Sequence, residues 1–575
     1  DLGKLAHPHF YPALQGILWM AALAVLLTIN RNERRISRLC FIVAWVFAGI
    51  STMGKGVAGI FLPIAVAGCY IVTARKWRDV LRLELISGAL VILTVAAPWF
   101  IAMYGRMGDE FIQQLFVHHM WKRALDHVHD TNTGDDVSLR YYVWQLGYAM
   151  FPWTGLVPAG LVWWARNRWG QAKKLLTLQE QKQRDVNIFL VMWFVFAWAL
   201  FTYMKTKFHH YVFPAVPAAA MLTGIFLDDA FGEKKLTARS VIGWLATTVV
   251  GVGLMAYGLS RLIPGKFNGY VSLPSPEKMS AVDVTNYVAE HHPGKPVIGI
   301  IIALAGLLLA IGAQRFLEDP PEPKPAADKS VDLGAREGLR TRSIMFGGLA
   351  IAAAVTTALV VRDLVSRPDN DIKGQERLIQ LYTYRYDRVW PKELAFQPAL
   401  LGFGLAATVL VLVLVARAYR RQAIVAMAAL AALFAAWTLD DYMMYVAPHW
   451  GQRPLFEAYY RDRKNVNEPL VAFEMNWKGE NFYSGGRLVE FGNGMSAGST
   501  AGERGSDRMR QWLTDMRTKT KAIYFVTEAS RVGKIDEMLR GVLGNPPNGQ
   551  PRWTEAITND TITNKFIIVR ARFGS

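Results

Sequence analysis

Residues 48–67 read AGISTMGKGVAGIFLPIAVA and set one lysine, Lys55, between two glycines inside an apolar run. The run extends over roughly thirty residues, enough for one tilted membrane span or two short ones. A charge at membrane depth is expensive, so an ammonium here has to face a water-filled cavity, a helix end or an anionic partner. Either Gly54-Lys55-Gly56 is a tight turn at the membrane surface whose ammonium snorkels into water, or Lys55 is a functional charge. The local sequence favours neither reading, and the rest of the chain decides.

The chain has 575 residues and is 52% hydrophobic and 12% aromatic, with 19% charged residues. Apolar runs long enough to span a bilayer recur along it with basic residues between them, a pattern that marks an integral membrane protein. Its two cysteines, Cys40 and Cys69, both lie in apolar runs, which rules out a disulfide framework and a cysteine metal site. A net charge of +18 is compatible with a nucleic-acid partner by itself. The basic residues gather in short loops between spans instead, as the positive-inside rule requires, so nucleic acid is not an expected partner and membrane lipids are. Asp1 is followed at once by a span, with no initiator methionine or signal-like segment, and upstream sequence is therefore expected to be missing.

Apolar segments predict about twelve spans, at roughly 11–30, 38–53, 57–72, 85–104, 140–164, 186–204, 210–227, 241–260, 295–314, 343–362, 398–416 and 422–438. Loops carrying Arg31, Arg34, Arg35 and Arg38, then Arg75, Lys76, Arg78 and Arg82, then Arg166, Arg168, Lys173, Lys174, Lys182 and Arg184 are assigned to the cytoplasm. The alternation continues through Lys234, Lys235 and Arg239, the Pro-rich segment Asp319 to Pro325, and Arg417, Arg420 and Arg421. On the outer side fall Gly54-Lys55-Gly56, a long loop at 105–139, the short loop Lys205 to His210, and everything after Leu439. The outer loop at 363–397 is richer in Arg and Lys than the rule prefers. Ala97-Pro98-Trp99 and Phe151-Pro152-Trp153-Thr154-Gly155 read as interfacial aromatic belts.

From residue 440 the composition is that of a soluble domain, giving two units, 1–439 in the membrane and 440–575 outside it. Strand-like runs at Leu470–Met475, Ala522–Thr527 and Phe566–Arg572 bracket helix-like runs near Ser506–Thr518 and Arg531–Leu543, which predicts a small α/β unit. Gly492, Gly494, Gly498, Gly502 and Gly505 do not form a dinucleotide fingerprint and read as a flexible loop. The fold class is thus an all-α polytopic membrane protein with a C-terminal extracytoplasmic α/β domain.

Two constellations offer chemistry. In the loop at 105–139, Phe111, Leu115, Trp121 and Leu125 recur at helical spacing and predict an amphipathic helix in the membrane interface. Its polar residues His118, His119, Lys122, Arg123, His127 and His129 stand beside Asp126 and Asp130, a set suited to a phosphate group and to proton transfer. Asp126, His127, His129 and Asp130 could also bind a divalent metal; without zinc-like spacing, a solvated loop is the simpler reading. The second constellation is Lys205-Thr206-Lys207-Phe208-His209-His210-Tyr211 at an outer junction of two spans, where snorkelling cations with an interfacial tyrosine is the plain alternative. Convergence favours function, because Lys55, Lys122 with Arg123, and Lys205 with Lys207 all reach the outer face, where they would cradle an anionic headgroup.

The ordered series GKG in a span pair, PWF, HHMWKRAL, YYVWQLGYAMFPWTGLVPAG and KTKFHHYVFPAVPAAAMLTG resembles glycosyltransferase family 39. It is most similar to the bacterial lipid A aminoarabinose transferases, with protein O-mannosyltransferases as more distant kin, and covers roughly residues 10 to 230. The resemblance implies a GT-C fold and a hexosyl or pentosyl transferase of the bacterial inner membrane. Such an enzyme takes a sugar from a polyprenyl-phosphate donor and passes it to a lipid, protein or envelope-glycan acceptor on the periplasmic side. Lys55 matches the family lysine near the lipid phosphate, Lys122 or Arg123 a basic residue of the amphipathic helix, and Lys207 and Tyr211 the lysine and tyrosine of the loop over the same site. The family's catalytic aspartate lies in a first outer loop that has no counterpart here. The expectation is an N-terminally truncated fragment lacking its general base, with Asp1, Asp109 or Glu110 as the remaining carboxylate candidates. The rival classes are a transporter or lipid flippase, and a non-catalytic scaffold displaying residues 440–575.

Overall fold

In the computed structural model the apolar run around Lys55 is two helices, Ile36–Lys55 and Ala58–Ala74, joined by a hairpin. Gly56 makes the turn at φ 71 and ψ −158, a region that glycine alone occupies readily, and its N–H bonds to Thr52 O at 2.8 Å. Gly59 lets the two helices meet, since a Cβ there would lie 2.5 Å from the Ser51 backbone. The structure describes residues 10–113, 115–117, 140–171, 178–204, 207–228, 238–260, 296–312, 329–366, 374, 377–382, 394–465, 468–475, 479–485, 488–491, 500–546, 549–558 and 565–573.

Charge organises the opposite end of this hairpin. Arg38 pairs with Glu33 at 3.0 Å and with Glu84 at 3.1 Å, and Lys76 pairs with Asp185 at the start of the helix Leu178–Tyr203. These bonds bring three loops assigned to the cytoplasm to one side of the bundle. The helix Ala58–Ala74 packs antiparallel to Leu178–Tyr203, with ring centroids 6.2 Å apart for Phe61 and Phe196 and 5.8 Å for Tyr70 and Phe189. Two helices that leave the ion-paired side therefore finish at the other face, one at Lys55 and the other just before Lys207.

Among the described residues five helices are long and apolar enough to cross a membrane, or six if the bent pair Trp77–Val95 and Ala97–Met107 is one span. Five shorter apolar helices accompany them, and the expected segments are apolar helices with two exceptions. One is 85–104, expected as a single span, which is the two helices Leu85–Val95 and Ala97–Met107 of the bent pair. The other is 140–164, expected as a single span. It is two helices, Arg140–Ala149 and Leu156–Gln171, because Pro152 supplies no N–H for a continuous ladder and Thr154 Oγ1 donates back to Gly147 O at 2.6 Å. Nor is this turn an interfacial belt: Phe151 is buried against Phe434, ring centroids 4.7 Å apart. Gly155 presses on the helix Lys329–Val365 so closely that a Cβ would fall 1.9 Å from Ala353 O.

Small residues set a second close helix pair. Helices Ala238–Ser260 and Pro296–Gly312 touch through Gly251 and Gly306, where an added Cβ would lie 2.6 Å and 2.4 Å from the facing carbonyl oxygen, and through Gly258, 2.5 Å from Ala303 N. Lipid tails are as apolar as leucine, so such backbone proximity replaces the hydrophobic drive that joins helices in water.

The C-terminal unit is a four-stranded sheet in the order β1-β2-β4-β3. β1 (Leu470–Ala472) pairs parallel with β2 (Ala522–Glu528), β2 antiparallel with β4 (Phe566–Arg572) in the register Phe525↔Val569, and β3 (Thr554–Ala556) antiparallel with β4. Helices Thr500–Lys519 and Val532–Leu543 cover one face, packing Met509, Leu513, Ile535 and Leu539 on Ile523, Phe525 and Val569. Helix Arg453–Asp462 covers the other with Leu455, Phe456 and Tyr459. Burial on both faces explains the continuous apolar reading of the strands. Two expectations change. The sequence Thr-Glu-Ala of β3 carries no strand pattern because it is a short, largely exposed edge. Gly502 and Gly505, expected in a loop, belong to the helix Thr500–Lys519, drawn in by the amphipathic turns that follow; Gly492, Gly494 and Gly498 lie outside the described residues.

Candidate functional site

The segment between helix Leu178–Tyr203 and helix Val216–Asp228 is the best-defined part of the site. Pro214 and Pro217 interrupt the apolar run, so the chain leaves the membrane helix, extends through Phe208 and re-enters through a tight helical turn at His209–Ala215. Lys207 sits in the extended part and is 1% exposed. Its ammonium donates to the carbonyl of Thr202 in the last turn of the preceding helix, and Nζ lies 5.3 Å from the centroid of the Tyr142 ring. A cation is favoured there twice over, by a helix C-terminus and by an aromatic face. Burial pushes its pKa below the usual lysine value. The side chain therefore does not snorkel; it is held inside the protein at the end of a span.

Tyrosines fasten this segment. Tyr142 donates its hydroxyl to Phe208 O at 3.0 Å, and Tyr211 packs on Phe208 and Phe201 with centroids 5.0 Å and 5.3 Å away. Tyr141 lies 5.5 Å from the buried imidazole of His209. Lys207 and Tyr211, chosen from the sequence, are thus in one cluster. His209, named with them in the same constellation, belongs to it too, and so do Tyr141 and Tyr142, to which sequence reasoning gives no role; the signal that could have found these two is the paired tyrosine, which faces a basic-aromatic loop far away in sequence.

A second polar group follows nearly two turns further along the helix Arg140–Ala149. Tyr148 donates to Asp363, and Arg377 Nε is 3.9 Å from the same carboxylate, with its guanidinium 5.8 Å from the Tyr148 ring. A ring contact of 6.0 Å between Phe213 and Tyr382 ties this group to the Lys207 segment. Arg377, one of the basic residues of the loop at 363–397, thus stands beside a carboxylate at the end of a span.

Lys55 is the last residue of its helix, at the face where Lys207 lies. Asp109 and Glu110 open a short helix, Asp109–Ile112, and are exposed beside a ring cluster of Trp99, Phe100, Phe111 and Phe116. Lys122, Arg123 and Lys205 lie outside the described residues, as do the metal candidates Asp126, His127, His129 and Asp130. Among the described residues no group of His, Cys, Asp and Glu is placed to hold a metal ion.

The fold and this cluster define a polytopic membrane protein that gathers buried cationic and aromatic side chains at one face of its bundle. No protein-family model matches the chain. It is similar to undecaprenyl phosphate-alpha-4-amino-4-deoxy-L-arabinose arabinosyl transferases, being 26% identical to that of Aeromonas hydrophila over 259 residues, 43% of either chain. The Pseudomonas aeruginosa transferase is 26% identical over 264 residues, 45% of this chain and 42% of its own. The match thus spans under half the length of these relatives. A crystal structure of ArnT from Cupriavidus metallidurans bound to undecaprenyl phosphate aligns over 96% of this chain and 73% of that one, with 14% identity and a TM-score of 0.42.

Proposed function

We propose that this chain is a glycosyltransferase, or the larger part of one, of the bacterial inner membrane. It moves a sugar from a polyprenyl-phosphate donor to a lipid, protein or envelope-glycan acceptor at the periplasmic face, with the C-terminal α/β unit on that side. The observation that carries this reading is the similarity over about 260 residues to transferases whose names specify an undecaprenyl-phosphate-linked sugar. The position of Lys55 and Lys207 at helix ends on one face supports it over a transporter, which keeps its charges near the midplane.

In this reading the leaving phosphate gains negative charge as the glycosidic bond breaks, and fixed cations lower that barrier. Lys55, Lys122, Arg123, Lys205 and Lys207 supply the positive charge, and Tyr211 packs the loop that carries Lys207. The acceptor hydroxyl attacks the anomeric carbon and yields its proton to a general base. Lys55→Ala in the full-length protein should lower transfer from a polyprenyl-phosphate sugar about a hundredfold or more while the fold is kept. Transfer at the wild-type rate would remove Lys55 from the site. Deleting residues 453–575 addresses the scaffold alternative, since retained transfer makes that unit accessory.

A further inference from the structure

On the buried face of the helix Arg140–Ala149, Tyr142 is bonded to the Lys207 segment and Tyr148 to Asp363, and Gln145 lies midway, one turn from each. Gln145 is 2% exposed and its Oε1 has no hydrogen-bond partner among the described residues. A buried acceptor left empty carries its full desolvation cost, and most such atoms in folded proteins are paired. Tyr142 and Tyr148, three residues to either side of it, both find partners on other segments. We propose that Gln145 is a sugar-recognition residue whose amide accepts a hydrogen bond from a hydroxyl or amino group of the donor's sugar, while Lys207 lies toward the phosphate. This rests on the donor reading above. In this reading the bound sugar pairs the Gln145 amide oxygen.

The test uses the whole chain in nanodiscs and two ligands, undecaprenyl phosphate and its 4-amino-4-deoxy-arabinosyl ester. Gln145→Met keeps the length of the side chain without the amide. It should weaken binding of the sugar-bearing lipid about tenfold, the equivalent of one hydrogen bond to a buried polar group, and leave undecaprenyl phosphate unchanged. The same variant should unfold at a higher temperature than wild type when no ligand is present, because an orphaned polar atom has gone. Gln145→Ala serves as a second variant, with undecaprenyl phosphate binding reporting its fold. Equal affinity of wild type and variant for the sugar-bearing lipid would overturn the proposal, as would an equal loss for both lipids, which would place Gln145 at the phosphate. If wild type binds neither lipid, the donor reading itself fails, and that outcome is distinct from a selective change at Gln145.

Discussion

Lys207 has three places to put an ammonium in a membrane protein: water, a counter-ion or a helix end. At the helix end it bonds the Thr202 carbonyl in the last turn of the preceding helix. That contact is structural by itself, and removing it should cost about 1 kcal/mol or less. A change at Lys207 that cripples lipid-phosphate binding by far more than it lowers the unfolding temperature would therefore separate its two roles. Backbone geometry at two glycines makes sharper demands. Gly56→Ala forces a side chain into a region reserved for glycine and should destabilise the hairpin by about 1–3 kcal/mol, read from thermal unfolding in detergent. Gly155→Ala drives a methyl into Ala353 O and should be worse, since only a backbone shift relieves the overlap.

Among the elements, the apolar helices were legible because length and hydropathy alone separate a span from a loop in lipid. The break at 150–155 was not, since Phe151, Trp153 and Leu156 keep the stretch apolar while Gly155 takes its place only because Ala353 comes close from a helix two hundred residues away in sequence. The helix pair Ala238–Ser260 and Pro296–Gly312 depends on the same kind of contact. Gly306→Val should push the two backbones apart and lower the unfolding temperature, whereas Gly253→Val, where an added Cβ meets nothing within 4 Å, should leave it nearly unchanged. Unchanged stability in Gly306→Val would show that the two helices do not rely on this approach.

At the level of the whole molecule, the ion pairs of Arg38 and Lys76 fix which loops share a side, and the positive-inside rule names that side cytoplasmic. With Cys40 and Cys69 replaced by serine, a cysteine at Val57 should react with a membrane-impermeant maleimide in intact cells, and one at Arg78 only after the membrane is opened. Reaction of both from the same side would overturn the topology. The apolar clusters of the sheet begin at Leu455, while Tyr442 and Val446 pack with Leu364 and Leu400 of the membrane bundle. Residues 452–575 expressed alone should accordingly form a soluble unit with cooperative unfolding, and a longer piece starting at residue 440 should aggregate through its exposed apolar helix Met443–Trp450.

The sequence by itself determined that this chain enters a membrane many times and that an α/β unit follows, because these depend on local hydropathy and strand burial. It also pointed to Lys207 and Tyr211, since basic and aromatic residues between spans are conspicuous there. Only the tertiary structure decided that Lys207 is buried on Thr202 and Tyr142, that Arg377 answers Asp363, and that Gln145, buried between two tied tyrosines, has an amide oxygen with no partner among the described residues. Each of those facts is a meeting of segments distant in the chain, and hydrogen-bond satisfaction inside a bundle is set by which helices touch rather than by the residues on any one of them.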